Sequence, residues 1–456
     1  MTSMRSNAPS ATSIPELVHT LSGTEPDAVA LVGRSGVTTS RRELASAVAE
    51  VRARLQADGV GRQDRVALLG PAGIETAAAL LGTMSQAVAA PLNPKAPAAA
   101  LRDDLQRLKA SLLLTTEEPS PDLLAATSDL GVRMRTLSRL LPSPTPSEHS
   151  PLKLPPAPPS DPALLLQTSG TTSRPKLVPL SHANLMSSAA HVAGILALRP
   201  QDRCLAVMPM FHIHGIVTCL LAPLLAGGGT VCTGPLPGSE MLALLEKQQP
   251  TWLSAVPTML QGLLQAWGEQ NAQRASHSLR LIRSSSAPLA PTLATELEKE
   301  FNVPVLEAYG MTEAAHQICS NRLPPAERRQ GTVGAAAGPV VAILDPHHRQ
   351  RPAGDVGEVA IRGDNVTTGY LETGSDGWIS SPDGSRWFLT GDEGWLGSDG
   401  ALTLSGRLKE MINRGGRRWC HARLMKPCLR TPPCGKQWVL RFPIPASVRI
   451  WLPLLC

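Results

Sequence analysis

The chain has 456 residues, 42% of them hydrophobic and 18% charged, which is enough for two or three domains with sizeable cores. Its formal charge of +6 arises at one end: residues 417–456 hold eight Lys/Arg and no Asp/Glu, leaving 35 basic against 37 acidic residues in the rest. A near-neutral body excludes the electrostatic footprint of a nucleic-acid binder, no apolar run is long enough to span a membrane, and eight cysteines without a CxxC pair argue against zinc and for a reducing compartment.

The N-terminus is polar up to Ser13 and lacks a basic-then-apolar leader, so secretion is not expected. The default address is the cytoplasm, with the peroxisome as the alternative in a eukaryote. Ser40 to Ala57 places Leu44, Val48, Val51 and Leu55 at helical spacing. Arg65 to Leu69 reads as a strand, Ile74 to Met84 as an apolar helix, Ala87 to Pro91 as a short apolar strand and Leu112 to Leu114 as the next one. This alternation predicts a parallel sheet with helices on its faces. Pro142 to Pro162 carries nine prolines in 21 residues and reads as an interdomain linker or a long surface loop, of which the loop is preferred.

Leu164 to Leu166 suit a buried strand, and Ser181 is an N-cap for the helix-like SHANLMSSAAHVAGIL. Between them lies TSGTTSRPK. The hydroxyls of Thr168, Ser169, Thr171 and Thr172 and the local N–H groups can wrap a polyphosphate, Gly170 allows close approach, and Lys176 supplies a cation. The glycine spacing is not that of GxxxxGK[ST], and the plain alternative is a polar surface loop.

Further on, DRCLAVMPMFHIH follows a strand with Phe211, His212 and His214. The two histidines could share one face, where a metal site competes with structural histidines and lacks a visible third ligand. TWLSAVPTM, from Thr251, is a strand ending in a Pro turn. Leu279 to Arg283 is another strand. It is followed by Ser284, Ser285, Ser286, Ala287 and Pro288, at a strand's carboxyl end where open α/β sheets place ligands; an ordinary turn is the alternative. VLEAYGMTE ends a strand in Tyr309 and Gly310, then offers Thr312 and Glu313. A ring can stack on a nucleobase, a hydroxyl can donate to a phosphate, and a carboxylate can hold Mg²⁺. His316 is either a solvent-facing helical residue or a partner for a second carboxylate. From Gly331 onward, short β runs broken by Gly and Pro predict a smaller antiparallel subdomain.

The nonamer 168–176, followed by VPLSHANL, resembles the phosphate-binding motif of the adenylate-forming (AMP-binding) superfamily. MPMFHIHG and YGMTE resemble two further motifs of that family, in the same order. Ser173 in place of the usual Gly, and His316, look most like its oxalate–CoA ligase group of acyl-CoA synthetases. Leu177 departs from the family's usual Gly. The resemblance implies an α/β fold: a large N-terminal domain with two doubly wound sheets over about 14–300 and a β-rich subdomain within 301–405, then a hinge at 406–416. It implies an ATP- and Mg²⁺-dependent acid–CoA ligase with CoA as second substrate. Phe211 and His212, with His214, would border the acyl pocket, and Ser284 to Pro288 would line the acid and nucleotide pocket. Asp392 would receive both ribose hydroxyls, Arg407 would reach the ribose, and Lys409 would be the pivot. A plain charged turn is the alternative at 406–416. The serine-rich lining points to a small polar acid, oxalate first. The rivals are a fatty acyl–CoA ligase, a carrier-protein adenylation domain, and a remnant that binds ATP or adenylate without turnover.

The family pattern stops at Gly416, where a small mobile domain carrying a further lysine is expected. Residues 417–456 instead have no acidic residue and no clear periodicity. We read them as a frame-shifted or disordered tail. With suitable codons, Arg418 to Cys428 read one nucleotide earlier gives K-V-V-P-R-E-V-D-E-A-L, which resembles the family's continuation. A genomic sequence without that alternative frame would overturn this expectation.

Overall fold

The computed structural model describes residues 11–137, 155–168, 175–269, 276–381 and 384–408, together with the backbone of 411–414 and 417–420. The chain forms two compact units, Met1–Leu404 and Ser405–Cys456.

The first unit contains two α/β sheets. One has six strands in the order Arg133–Thr136, Leu112–Thr115, Arg65–Leu69, Val88–Pro91, Pro162–Gln167 and Leu177–Ser181. All neighbours in it are parallel except the last pair. The other has nine strands: Ala335–Ala336, His316–Ser320, Val305–Met311, Leu281–Ser284, Trp252–Ala255, Arg203–Ala206, Gly229–Cys232, Val29–Gly33 and Thr38–Ser40. Its six inner strands are parallel and both ends are antiparallel. Apart from the edge strand Arg133–Thr136, the parallel strands are short and mostly apolar, as strands covered by helices on both faces must be. A third, antiparallel sheet takes Val340–Leu344, Gly357–Arg362, Arg386–Leu396 and Trp378–Ser380, with a fifth strand beginning at Leu402. This is the expected two-sheet α/β body with a smaller β subdomain.

One continuous apolar cluster links the sheets. It runs from Val48 and Leu80, through Leu164 and Val178, to Ile216, Ile318 and Phe388. Helix Arg41–Ala57 starts at a capping box in which Ser40 and Glu43 satisfy each other's backbone N–H, and His182–Ile195 starts at the same device made by Ser181 and Asn184. Each such cap contributes about 1 kcal/mol.

The N-terminal helix Ile14–Gly23 is tied to this body by a buried bond from the Ile14 N–H to Nδ1 of His182, 3.2 Å. Burial holds the His182 imidazole down at about 4, against the pull of Asp161. The folded state therefore takes up this proton less readily than the unfolded chain. Its contribution is fully present above pH 6.5 and is lost as pH falls toward 4, about 3 kcal/mol over that window. Urea midpoints at pH 7 and pH 5 check this: the parent should lose stability between them, and His182→Gln, which keeps an acceptor, should lose less.

In the second unit, Met411–Arg414 pairs antiparallel with Arg417–Cys420. Lys409 lies outside the described residues, as do 421–456.

Candidate active site

The segment after Gln167 is flanked by two antiparallel strands. Sequence reading placed loop from 168 to Ser181, whereas Leu177–Ser181 is a strand that returns beside Pro162–Gln167. Val178 and Leu180 are fully buried, and this burial outweighs the Pro179 that argues against a strand. Thr168 and Lys176 close the base of the loop reciprocally. The Thr168 N–H donates to the Lys176 carbonyl at 2.9 Å, and the Lys176 N–H donates to Thr168 Oγ1 at 3.0 Å. Arg107, from helix Ala98–Leu108, donates to the Pro175 carbonyl at 2.6 Å. Ser169, Gly170, Thr171 and Thr172 lie outside the described residues.

Past strand Arg203–Ala206 the chain turns through Pro209 into a π-helix, His214–Leu221. Gly215 is required there, because a Cβ would stand 2.2 Å from the Pro209 carbonyl oxygen. The turn separates the two histidines that sequence placed on one face. His212 is exposed and packs on Phe211, with ring centroids 4.5 Å apart, whereas His214 is buried. Among the described residues no group of three His, Cys, Asp or Glu could hold a metal ion, so the histidine-metal alternative has no support. Phe211 also borders a cavity of about 200 Å³, with Gly70, Asn93, Lys95 and Thr233 in its wall.

His214 is held from both sides. Its Nδ1 lies 3.0 Å from Ser286 Oγ and its Nε2 lies 2.7 Å from Ser254 Oγ. Its ring stacks on His316 at 4.7 Å, with 20° between the planes. Arg283, on strand Leu281–Ser284, is fully buried and donates to Ser254 Oγ at 3.2 Å and to Gln317 Oε1 at 2.8 Å. Burial pushes its guanidinium down to about 10, still charged at neutral pH, and no described carboxylate pairs with it. Burial, followed by the Arg283 charge, holds both imidazoles well below their ordinary range and therefore neutral. Among the described residues, four buried polar atoms in this cluster have no partner: Arg283 Nε, Ser284 Oγ, His316 Nε2 and Gln317 Nε2. Ser285 is spent on the Ala308 carbonyl, at 3.0 Å. Ser286, Ala287 and Pro288 are exposed, with Ser286 at φ 70.

The YGMTE segment is a hairpin tip. Strand Val305–Met311 passes through a short 3₁₀ turn, Thr312–Ala314, into strand His316–Ser320. The solvent-facing helical alternative for His316 does not hold, since His316 is buried and begins a strand. Ala315 adopts a left-handed conformation, φ 44, which reverses the chain and delivers His316 to the interior. Gly310 allows the strands to close, since a Cβ there would lie 1.7 Å from the His316 carbonyl oxygen.

Tyr309 is buried rather than presented as an open stacking face, and its hydroxyl donates to Asp392 Oδ2 in a short bond. Burial and that carboxylate push the phenol well up. Glu313 is buried and accepts from the Tyr370 hydroxyl at 2.7 Å. Lys176 Nζ sits 4.3 Å over the Tyr370 ring and 3.4 Å from Asp376. Arg407 is exposed at the end of strand Leu402–Arg407, in the second unit.

Sequence reading missed Ser254, Arg283, Gln317 and Tyr370. Two of them carried a signal. Arg283 is a charge inside an otherwise apolar strand, and Tyr370 is one of only two tyrosines in the chain. Both tyrosine hydroxyls go to carboxylates at this site.

Two α/β sheets and a β subdomain, with Thr168 bonded to Lys176, a buried Glu at a hairpin tip and an Asp bonded to a Tyr, make up an adenylate-forming type of fold. The AMP-binding enzyme family matches residues 19–371. The chain belongs to that family, among its AMP-forming acyl-CoA synthetases. It is 38% identical over 387 residues to an oxalate–CoA ligase of Saccharomyces cerevisiae, covering 78% of this chain and 70% of the relative. It is 37% identical to an oxalate–CoA ligase of Arabidopsis thaliana, covering 85% and 77%. The crystal structure of ATP-bound MatB from Rhodopseudomonas palustris superposes with a TM-score of 0.80 at 26% identity, covering 92% of this chain and 84% of that one.

Proposed function

We propose that the protein is an ATP-dependent, AMP-forming ligase that joins CoA to a small acid bearing a second negative charge, oxalate first. The observation that carries this reading is Arg283. A buried guanidinium whose described partners are the neutral Ser254 and Gln317 creates a positive field beside unpartnered polar atoms of Ser284 and His316. A buried charge without a counterion is costly, and an anionic ligand offsets that cost. An alkyl chain would not. The two relatives named as oxalate–CoA ligases support the same reading.

In the first half-reaction the acid's carboxylate oxygen attacks the α-phosphorus of ATP. The bond to the bridging oxygen breaks, and pyrophosphate leaves with its electron pair. The protein's part is positioning and charge. Lys176 and its loop hold the phosphates, Thr312 donates to the α-phosphate, and Asp392 anchors the ribose, with Ala287, Pro288 and Tyr309 beside the nucleotide. His212 and Phe211 border the acid. Glu313, a buried carboxylate next to the Thr312 hydroxyl, offers the hard oxygen donors that suit Mg²⁺. When bound, that ion supplies neutralisation of phosphate charge. In the second half-reaction the CoA sulfur attacks the acyl carbonyl and AMP departs. Arg407 and Lys409 are assigned to the nucleotide and the hinge by resemblance. So is a lysine-bearing lid after Gly416.

The test is acid-dependent pyrophosphate release by the full chain, with oxalate and octanoate side by side. Release with oxalate alone is the expected result. Release with octanoate alone overturns the choice of acid and keeps the reaction class. ATP binding with neither release identifies a nucleotide-binding chain without turnover.

A further inference from the structure

Segment 364–376, between the third sheet's strands Gly357–Arg362 and Trp378–Ser380, crosses the site as a strap. Its first half is stitched to the Glu313 hairpin. The Asn365 side-chain amide donates to the Ala314 and Gln317 carbonyls, each at 2.8 Å, and the Thr367 N–H donates to the Glu313 carbonyl at 2.8 Å. The strap is also stitched to strand Leu177–Ser181. Thr367 Oγ1 donates to the Pro179 carbonyl at 2.7 Å, and the Leu371 N–H donates to the Leu177 carbonyl at 2.9 Å. Glu372 accepts from Arg107, the residue that also fixes the Pro175 carbonyl.

At the centre of the strap is Tyr370. It is buried, its hydroxyl is on the Glu313 carboxylate, and its ring is under the Lys176 ammonium. These two groups lie 137 residues apart in the chain, and Tyr370 touches both.

We propose that Tyr370 is a positioning residue that couples the phosphate-loop lysine to the Glu313 carboxylate, so that the nucleotide's phosphates and their Mg²⁺ are received by one pre-set unit. This rests on the reading of Lys176 and Glu313 given above. The hydroxyl fixes the orientation of the Glu313 carboxylate. The ring face holds the ammonium in place by its quadrupole without neutralising it. Asp376, 3.4 Å from the same ammonium and exposed, marks the outer end of the lysine's range. Bringing phosphate to Lys176 exchanges an exposed ion pair, which is worth little, for a stronger contact, while the ring contact is kept.

The experiment is calorimetric ATP binding to the full chain, once with excess Mg²⁺ and once with EDTA, for the parent, Tyr370→Phe, Glu313→Gln and the double variant. Tyr370→Phe keeps the ring under Lys176 and removes only the bond to Glu313. We expect its ATP affinity in EDTA to match the parent and its affinity with Mg²⁺ to drop about tenfold, the loss of one hydrogen bond to a charged group. In the Glu313→Gln background the same change should have no further effect. A purely packing tyrosine would weaken both conditions alike, or neither, and either pattern overturns the proposal. Should Tyr370→Phe not fold, the ATP affinities of Tyr370→His with and without Mg²⁺ decide by the same ratio. A parent chain that does not bind ATP under either condition would instead overturn the function assigned to the site.

Discussion

Replacing Glu313 by Gln is expected to lower oxalate-dependent pyrophosphate release by about 10²–10³-fold, the usual cost of removing one electrostatic stabiliser from a water-poor site. The change is isosteric. The amide oxygen of the new side chain still accepts from the Tyr370 hydroxyl, so the hairpin tip at Thr312–Ala314 keeps its anchor and the thermal midpoint should stay near that of the parent. What is lost is a negative charge at a buried position. Raising Mg²⁺ should not restore the rate, because a neutral amide oxygen is a weaker ligand for a hard cation. Initial rates of pyrophosphate release over a Mg²⁺ titration measure both effects. A variant with parental rates would remove Glu313 from the reaction and leave it a structural residue of the turn.

The second large effect is expected at Arg283. Because His214 and His316 are held neutral by burial, Arg283 is the positive charge of this cluster at pH 7. Arg283→Met should cost about 10²–10³-fold in kcat/KM for oxalate and far less for acetate, which has the same reacting carboxylate and no second charge. The variant should still fold. Removing a buried cation relieves a desolvation cost, which offsets the bonds lost to Ser254 and Gln317. Competition kinetics with the two acids give the ratio directly. An equal fall for both acids would make Arg283 a support for the histidines and would withdraw the dianion reading.

These two residues stood very differently before the fold was known. Glu313 belongs to a contiguous string, YGMTE, whose chemistry is written locally: strand, turn, hydroxyl, carboxylate. The same holds for the Thr168–Lys176 loop and for the serines that close Leu281–Ser284, whereas Asp392 was singled out by family resemblance. The helices at Arg41–Ala57 and His182–Ile195 were equally legible, because apolar spacing and an N-capping serine are short-range signals. The alternation of apolar strands and helices likewise carried a parallel sheet with helices on its faces, and the family resemblance carried the second sheet.

Local signals misled where burial or a single backbone conformation took control. TEAAHQ is a respectable helix sequence, yet the left-handed Ala315 turns it into a hairpin, and the nine-stranded sheet accepts His316–Ser320 as a strand. Leu177–Ser181 contains a proline and followed a loop, yet two buried side chains make it a strand. The pairing of His212 with His214 failed because the π-helix begins between them.

Sequence by itself determined which chemical groups this protein brings to its site and in what order, since each motif is a run of neighbours. Only the tertiary structure decided which of those groups meet. The Tyr309 hydroxyl reaches Asp392, the Tyr370 ring lies under Lys176, and Arg283 stands behind two histidines from other elements. Those meetings depend on sheet order and crossover connections, which bring residues far apart in the chain into contact; no periodicity along a single chain encodes that pairing.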